Sequence, residues 1–219
     1  QATAGENGSV LLLFGTGSYS FVNDGTDVNT QSLYGVNDYA DGAVASTILP
    51  SQLMPYTVSS SRTLTPGTRP AGALGWRVDL PAGERMVGYP EIASGIVFMP
   101  TYKPLNSSGC STDGNNSLFG LNPRTGAAAL FNVRVGSITN GTKVADGVAS
   151  ISLSTGGNAP VKDVGVAVVP RLQPPVNPLD GTPAPTLPAL AGCWMAVTVA
   201  GASPMYVPYP CGRQSWRQV

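Results

Sequence analysis

Hydrophobic positions in this chain come in short alternating runs cut by glycine, proline and asparagine, and that pattern predicts strands rather than helices. The clearest stretch, Gly75 to Gly126, carries three of them. Trp76 to Leu80 stops at Pro81-Ala82-Gly83; Gly95 to Pro100 follows a Ser94-Gly95 turn; Ser117 to Leu121 leads into Asn122-Pro123-Arg124-Thr125-Gly126. Within it Trp76 and Leu80 read as core, Glu84 and Arg85 as a turn-stabilising pair, and Cys110 as part of an inter-strand loop. Upstream, Ser9 to Phe14 is too short for a helix and reads as a buried strand, Gly15-Thr16-Gly17 returns it into Ser18 to Val22, and Gln31 to Val36 is a third strand. Between Gly42 and Thr68 the pattern weakens: Leu49, Leu53 and Met54 fit a short strand or one helical turn around Pro50 and Pro55, and Thr57 to Leu64 fits an edge strand. Ala127 to Val135, Val148 to Leu153 and Val164 to Pro170 add further runs.

About a dozen strands result, in units of roughly 50 residues, which is the spacing of propeller blades. Three units do not close a ring. The predicted architecture is therefore all-β, as part of a larger propeller or as a sandwich. The predicted division is blades over 1–170, a Pro-rich linker or extended loop over 171–190, and a hairpin with a tail over 191–219. Six prolines between Arg171 and Pro188 carry the middle assignment.

Composition narrows the chemistry. With 219 residues and 42% hydrophobic content the chain can bury a core, and its 27 glycines and 20 prolines suit a turn-dense β-protein. Twelve basic residues balance twelve acidic ones without blocks of either sign, so no footprint for nucleic acid is present and partners are expected to be protein or glycan. No histidine occurs, which excludes His-based triads, His-ligated metals and imidazole acid/base catalysis within this chain. No apolar run approaches the roughly 20 residues of a transmembrane helix, and the first residues read as a mature or internally cut end.

Two loops and three cysteines invite site hypotheses. Asn23, Asp24, Asp27 and Asn29 place side-chain oxygens in one loop, making Asp24, Asp27 and Asn29 weak metal candidates. The spacing does not fit a calcium loop, and an Asx-rich turn that satisfies its own backbone is the commoner explanation. Around Ala202 the flanks mirror one another, so a hairpin that sets Val199 against Met205 and Val197 against Val207 sets Met195 against Tyr209 and Cys193 against Cys211. That register predicts a Cys193–Cys211 disulfide, worth ~3 kcal/mol in the chain-entropy model. Cys110 then pairs outside the chain or stays a free thiol.

Six segments carry a family resemblance: FGTGSY (Phe14 to Tyr19), QSLYGVND (Gln31 to Asp38), GWRVDLPAGERMVGYPEI (Gly75 to Ile92), Pro104 to Cys110, SLFGLNPRTG (Ser117 to Gly126) and GRQSWRQV (Gly212 to Val219). In this order they resemble the C-terminal region of the PilY/PilC type IV pilus tip-associated adhesins. The resemblance implies the last blades of a quinoprotein-like β-propeller, an antiparallel meander that caps a pilus assembled on minor pilins. It implies roles in pilus biogenesis, twitching motility and surface attachment, with a host surface protein or glycan and the remaining blades as further partners. It also implies a secreted, outer-membrane-associated place at the pilus tip, reached through the periplasm. The DxDxDG-type calcium loop of such proteins occurs nowhere here, so no cofactor is expected and calcium is implied only for upstream blades.

Two other functions share this architecture. A quinone-cofactor dehydrogenase would need carboxylates and an arginine in one cavity, for which only Asp79, Glu84 and Arg85 offer themselves; the chain is expected not to be an enzyme. A glycan-binding module would use Tyr206, Tyr209 and Trp216 as stacking platforms, although hairpin aromatics are more often cross-strand partners. Trp216 and Arg217 read either as a docking tail or as a closing strand. Asn7, Asn106, Asn115 and Asn140 match the glycosylation pattern incidentally.

Overall fold

The structure, a computed structural model, describes residues 1–20, 23–39, 47–105, 113–155, 159–169 and 193–210. Its strands are β1 (Ala2–Ala4), β2 (Val10–Gly15), β3 (Ser32–Asp38), β4 (Met54–Val58), β5 (Leu64–Pro66), β6 (Gly75–Asp79), β7 (Glu91–Ala93), β8 (Ile96–Pro104), β9 (Gly114–Leu121), β10 (Arg134–Val135), β11 (Thr142–Lys143), β12 (Ser150–Leu153), β13 (Val164–Val169), β14 (Cys193–Val199) and β15 (Met205–Tyr209). One short 3-10 turn, Pro50–Gln52, precedes β4, so the two options weighed around Pro50 and Pro55 both occur, in succession. The fold is all-β.

Three sheets form. The first has the order β1-β2-β3-β6-β4-β5, the second β12-β9-β8-β7, and the third β11-β10-β15-β14-β13. Pairing is antiparallel except between β4 and β6, which run parallel, so the meander is not uniform. The second sheet lies between the other two. On one of its faces Val97, Met99, Phe119 and Leu121 pack with Leu11, Leu13, Leu33, Trp76 and Val78 of the first sheet. On the other, Ile96, Phe98 and Leu118 pack with Met195, Val197, Met205 and Val207 of the third. A sheet covered on both faces reads as an unbroken apolar run, and β8 is buried at every position but Lys103. Three stacked sheets, in chain order except that β12 returns to the second, are compatible with successive propeller blades.

Several sequence expectations are corrected. β8 does not stop at Pro100 but continues to Pro104. β7 pairs only as far as Phe98, and the next backbone bond on that side is Tyr102 with Arg85, so the N–H that proline lacks falls in a gap in the ladder. Ser18 to Ser20 is not a strand, because this segment wraps a guanidinium. Thr57 to Leu64 is not one edge strand: Thr57 and Val58 end β4, Leu64 begins β5, and residues 59–63 turn between them, with Arg62 at φ 65. Ala127 to Val135 keeps only isolated bridges and β10.

The C-terminal hairpin does not stand apart beyond the Pro-rich segment: β14 pairs along all of β13, and β15 pairs with β10. Its register also differs from the expectation. Tyr209, not Cys211, lies opposite Cys193, while Val207 faces Met195 and Met205 faces Val197. A slip of two residues keeps every side chain on its own face, so the alternation of apolar residues could not distinguish the two pairings. The longer connection uses Gly201 at φ 78.

Candidate interaction surface

Trp76 is the hinge of the inter-sheet packing. It is fully buried, and its indole Nε1 donates to the carbonyl of Pro123 at 2.7 Å, in the turn that follows β9. That turn is an Asx turn, in which Asn122 Oδ1 accepts from the amides of Arg124 and Thr125. Gly35, on the neighbouring strand, and Gly126, at φ 72, both lie so close that an added Cβ would stand 2.3 and 2.6 Å from the indole. Glycine is required at both places by approach, and at Gly126 by conformation as well.

The expected Glu84–Arg85 pair does not form. Successive side chains of an extended segment diverge, and each finds a separate site. Glu84, buried, receives Arg62 in a two-pronged contact, Nη1 to Oε2 and Nη2 to Oε1, both 2.8 Å. Thr101 donates to the same carboxylate at 2.6 Å, Arg62 Nε reaches Ser150 Oγ, and the guanidinium lies 5.1 Å from the Phe119 ring centre. Arg85, also buried, donates instead to the carbonyls of Ser18, Asp24, Asp27 and Gly83.

The residues singled out as metal candidates line the loop around Arg85. Asp24 accepts from the Ser18 hydroxyl and the Ser20 amide, both at 2.8 Å, and Asp27 accepts from the Asn29 amide at 2.9 Å. Three of the loop's carbonyls converge on the guanidinium. Among the described residues no three carboxylates or thiols come together at one point. Nor do Asp79, Glu84 and Arg85 share a cavity, since Asp79 pairs with Arg77 at 2.9 Å and accepts from Ser32. Burial, the Tyr19 hydroxyl and the charges of Tyr19 and Asp113 push the Tyr102 phenol above its ordinary range, consistent with a wholly buried side chain.

Cys193 is bonded in a disulfide whose partner lies outside the described residues, as do Cys110, Cys211, Trp216 and Arg217 themselves. Of the proposed stacking aromatics, Tyr209 packs against the core between the second and third sheets. Tyr206, half-buried, pairs with Arg134 and Ala196 on the opposite face of the third sheet.

The most conspicuous surface was not anticipated from the sequence. On β2, Leu11 and Leu13 point into the core, while Val10, Leu12 and Phe14 keep 43%, 38% and 43% of their surface exposed. Phe14 stacks on Tyr34 of β3 with ring centres 5.1 Å apart, and Val36 lies across from Leu12. The run Val10 to Phe14 is apolar on both faces. A sheet whose solvent face is polar alternates; one apolar on both faces is built to be covered twice, as β8 is.

No family model and no solved structure matches this chain. A curated protein of Xylella fastidiosa (strain Temecula1 / ATCC 700964), the Type IV pilus biogenesis factor PilY1 homolog, is 29% identical over 242 residues. The alignment takes in all of this chain but only 16% of that relative's length. No helix among the described residues is long and apolar enough to cross a membrane.

Proposed function

We propose that this chain is one module of a type IV pilus biogenesis factor of the PilY1 kind, acting through protein contacts and not through catalysis. The similarity along the whole chain to a PilY1 homolog carries this reading. Its finer parts follow the family: the module supports pilus assembly, twitching motility and surface attachment, sits at the exported pilus tip with minor pilins as neighbours, and takes no cofactor of its own.

The exposed face of the first sheet has one occupant in this reading, a preceding sheet of the same polypeptide. The stack supplies the argument: the second sheet is already covered on both faces by its neighbours, and the chain spans only 16% of its relative. In the full-length protein a Phe14→Cys side chain is expected to react with a maleimide at least about tenfold more slowly than Val28→Cys, a position now 70% exposed. Equal rates sink the assignment of the face.

Deletion of the gene is expected to abolish surface pili and twitching; normal piliation overturns the biogenesis role itself. A saturable absorbance change on titration with pyrroloquinoline quinone and calcium overturns the non-catalytic reading. Cys193 bonds Cys211 in the same reading, which non-reducing peptide mapping checks; a Cys110–Cys193 peptide refutes it.

A further inference from the structure

Six arginines lie among the described residues, and four are occupied: Arg62 by Glu84, Arg77 by Asp79, Arg85 by loop carbonyls, and Arg134 by the carbonyl of Gly141. Arg69 and Arg124 differ. Both are exposed, and neither guanidinium has a hydrogen bond or ion pair among the described residues. Both line the same cleft. Arg69 comes from the segment after β5 and Arg124 from the turn after β9, so the first and second sheets each contribute one cation.

The cleft is held in shape by the core. Tyr56 of β4 forms part of its wall, and its hydroxyl donates to the carbonyl of Thr125 at 3.0 Å, which fixes the turn that presents Arg124. Asn122 braces the same turn from within. Arg69 is near enough to Tyr56 for its charge to oppose the rise that burial imposes on the phenol. Met54, Ala73 and Gly75 are the apolar residues in the cleft's mostly polar lining, and Glu6 is the one acidic residue there. Two guanidinium groups with no partner among the described residues, around a cleft that holds one carboxylate, favour a further anion beside them, and planar carboxylates are their best-matched partners.

We propose that this cleft binds a carboxylate side chain of an acidic protein segment, with Arg69 and Arg124 as its two cationic jaws. A peptide Asp or Glu suits it better than a phosphate. Its methylenes find Met54 and Ala73 in the lining, and Glu6 opposes a doubly charged anion more than a singly charged one. The cleft is distinct from the exposed face of β2, and only the identity of the carrier as protein rests on the proposed protein-contact function. That function and the cleft fail separately: piliation reports on the former, peptide binding in solution on the latter.

The test is fluorescence anisotropy of the full-length protein with a labelled, end-capped octapeptide of alternating Glu and Gly, at low and moderate salt. Saturable binding that weakens with salt is expected, together with a loss of at least about tenfold in Arg69→Gln/Arg124→Gln and no binding of the Gln-for-Glu peptide. Both side chains are exposed, so the double variant should keep its thermal midpoint. Unchanged affinity in that variant, equal binding of the Gln peptide, or no saturable binding overturns the proposal. Stronger competition by inorganic phosphate than by acetate also overturns it, in favour of a phosphate site.

Discussion

The second sheet meets its two neighbours in different ways. Towards the third sheet the contact is a broad apolar layer of Ile96, Phe98, Leu118, Leu130, Met195, Val197 and Met205, and its polar crossings include a clasp in which Asn116 accepts from Val161 N–H and donates to the carbonyl of Ala159. Towards the first sheet the apolar layer is pierced by directional contacts: the Trp76 indole on Pro123, the Tyr56 hydroxyl on Thr125, and Arg62 on Glu84 with Thr101 and Ser150. Burial is non-directional and tolerates sliding; hydrogen bonds with fixed forks do not. The difference separates two tasks, area at one interface and alignment at the other.

The largest expected effect tests the alignment side. Trp76→Ala removes the biggest fully buried side chain among the described residues and leaves a carbonyl without its donor, for a loss of about 3–5 kcal/mol in chemical denaturation. A loss below about 1 kcal/mol would show that the indole is not the pivot.

The next prediction pits the two interfaces against each other. Arg62→Lys cannot reproduce the fork on Glu84 and should cost about 2–3 kcal/mol, whereas Met195→Leu, equally conservative in volume, should cost less than about 1.5 kcal/mol. Equal costs would erase the distinction. Replacing the network together, as Arg62→Met/Glu84→Leu/Thr101→Val, should recover most of the stability, since an apolar substitute of similar volume is often neutral. If the Trp76 indole N–H resonance then stays where it is in the parent protein, the network does not set the alignment.

The smallest effect lies at the surface beside the third sheet. The Asn132 amide, and then Lys143, hold the Asp146 carboxyl below its ordinary value. A lowered folded-state pKa contributes stability above the usual carboxylate pKa and loses it as pH falls through the lowered one. The Asn132 amide shift should therefore titrate below the usual Asp range, and Asp146→Asn should flatten it; a normal midpoint would contradict the assignment.

How far the sequence spoke depended on whether identity or approach carried the information. Strands with alternating apolar residues, such as Trp76 to Leu80, were legible because burial itself imposes the alternation. The exposed face of β2 was not, since SVLLLF reads the same whether its second face is covered within the chain or beyond it. Arg85 was paired with its neighbour Glu84 because charge is visible in sequence and backbone carbonyls are not. Residues from three of the resembling segments, Gly35, Trp76, Pro123 and Gly126, meet around one indole. Those motifs mark packing, while Arg69 and Arg124, whose common cleft exists only in the fold, gave no pattern to read.

The loop at Ser18 to Asn29 is closed by a cation that belongs to the chain. An ion drawn from solution has an occupancy, set by its concentration and removable by a chelator; a guanidinium on β-structure has none. The described carbonyls of Ser18, Asp24 and Asp27 are held by the fold itself, and the amide protection of residues 23–29 is expected to be unmoved by chelators in the medium.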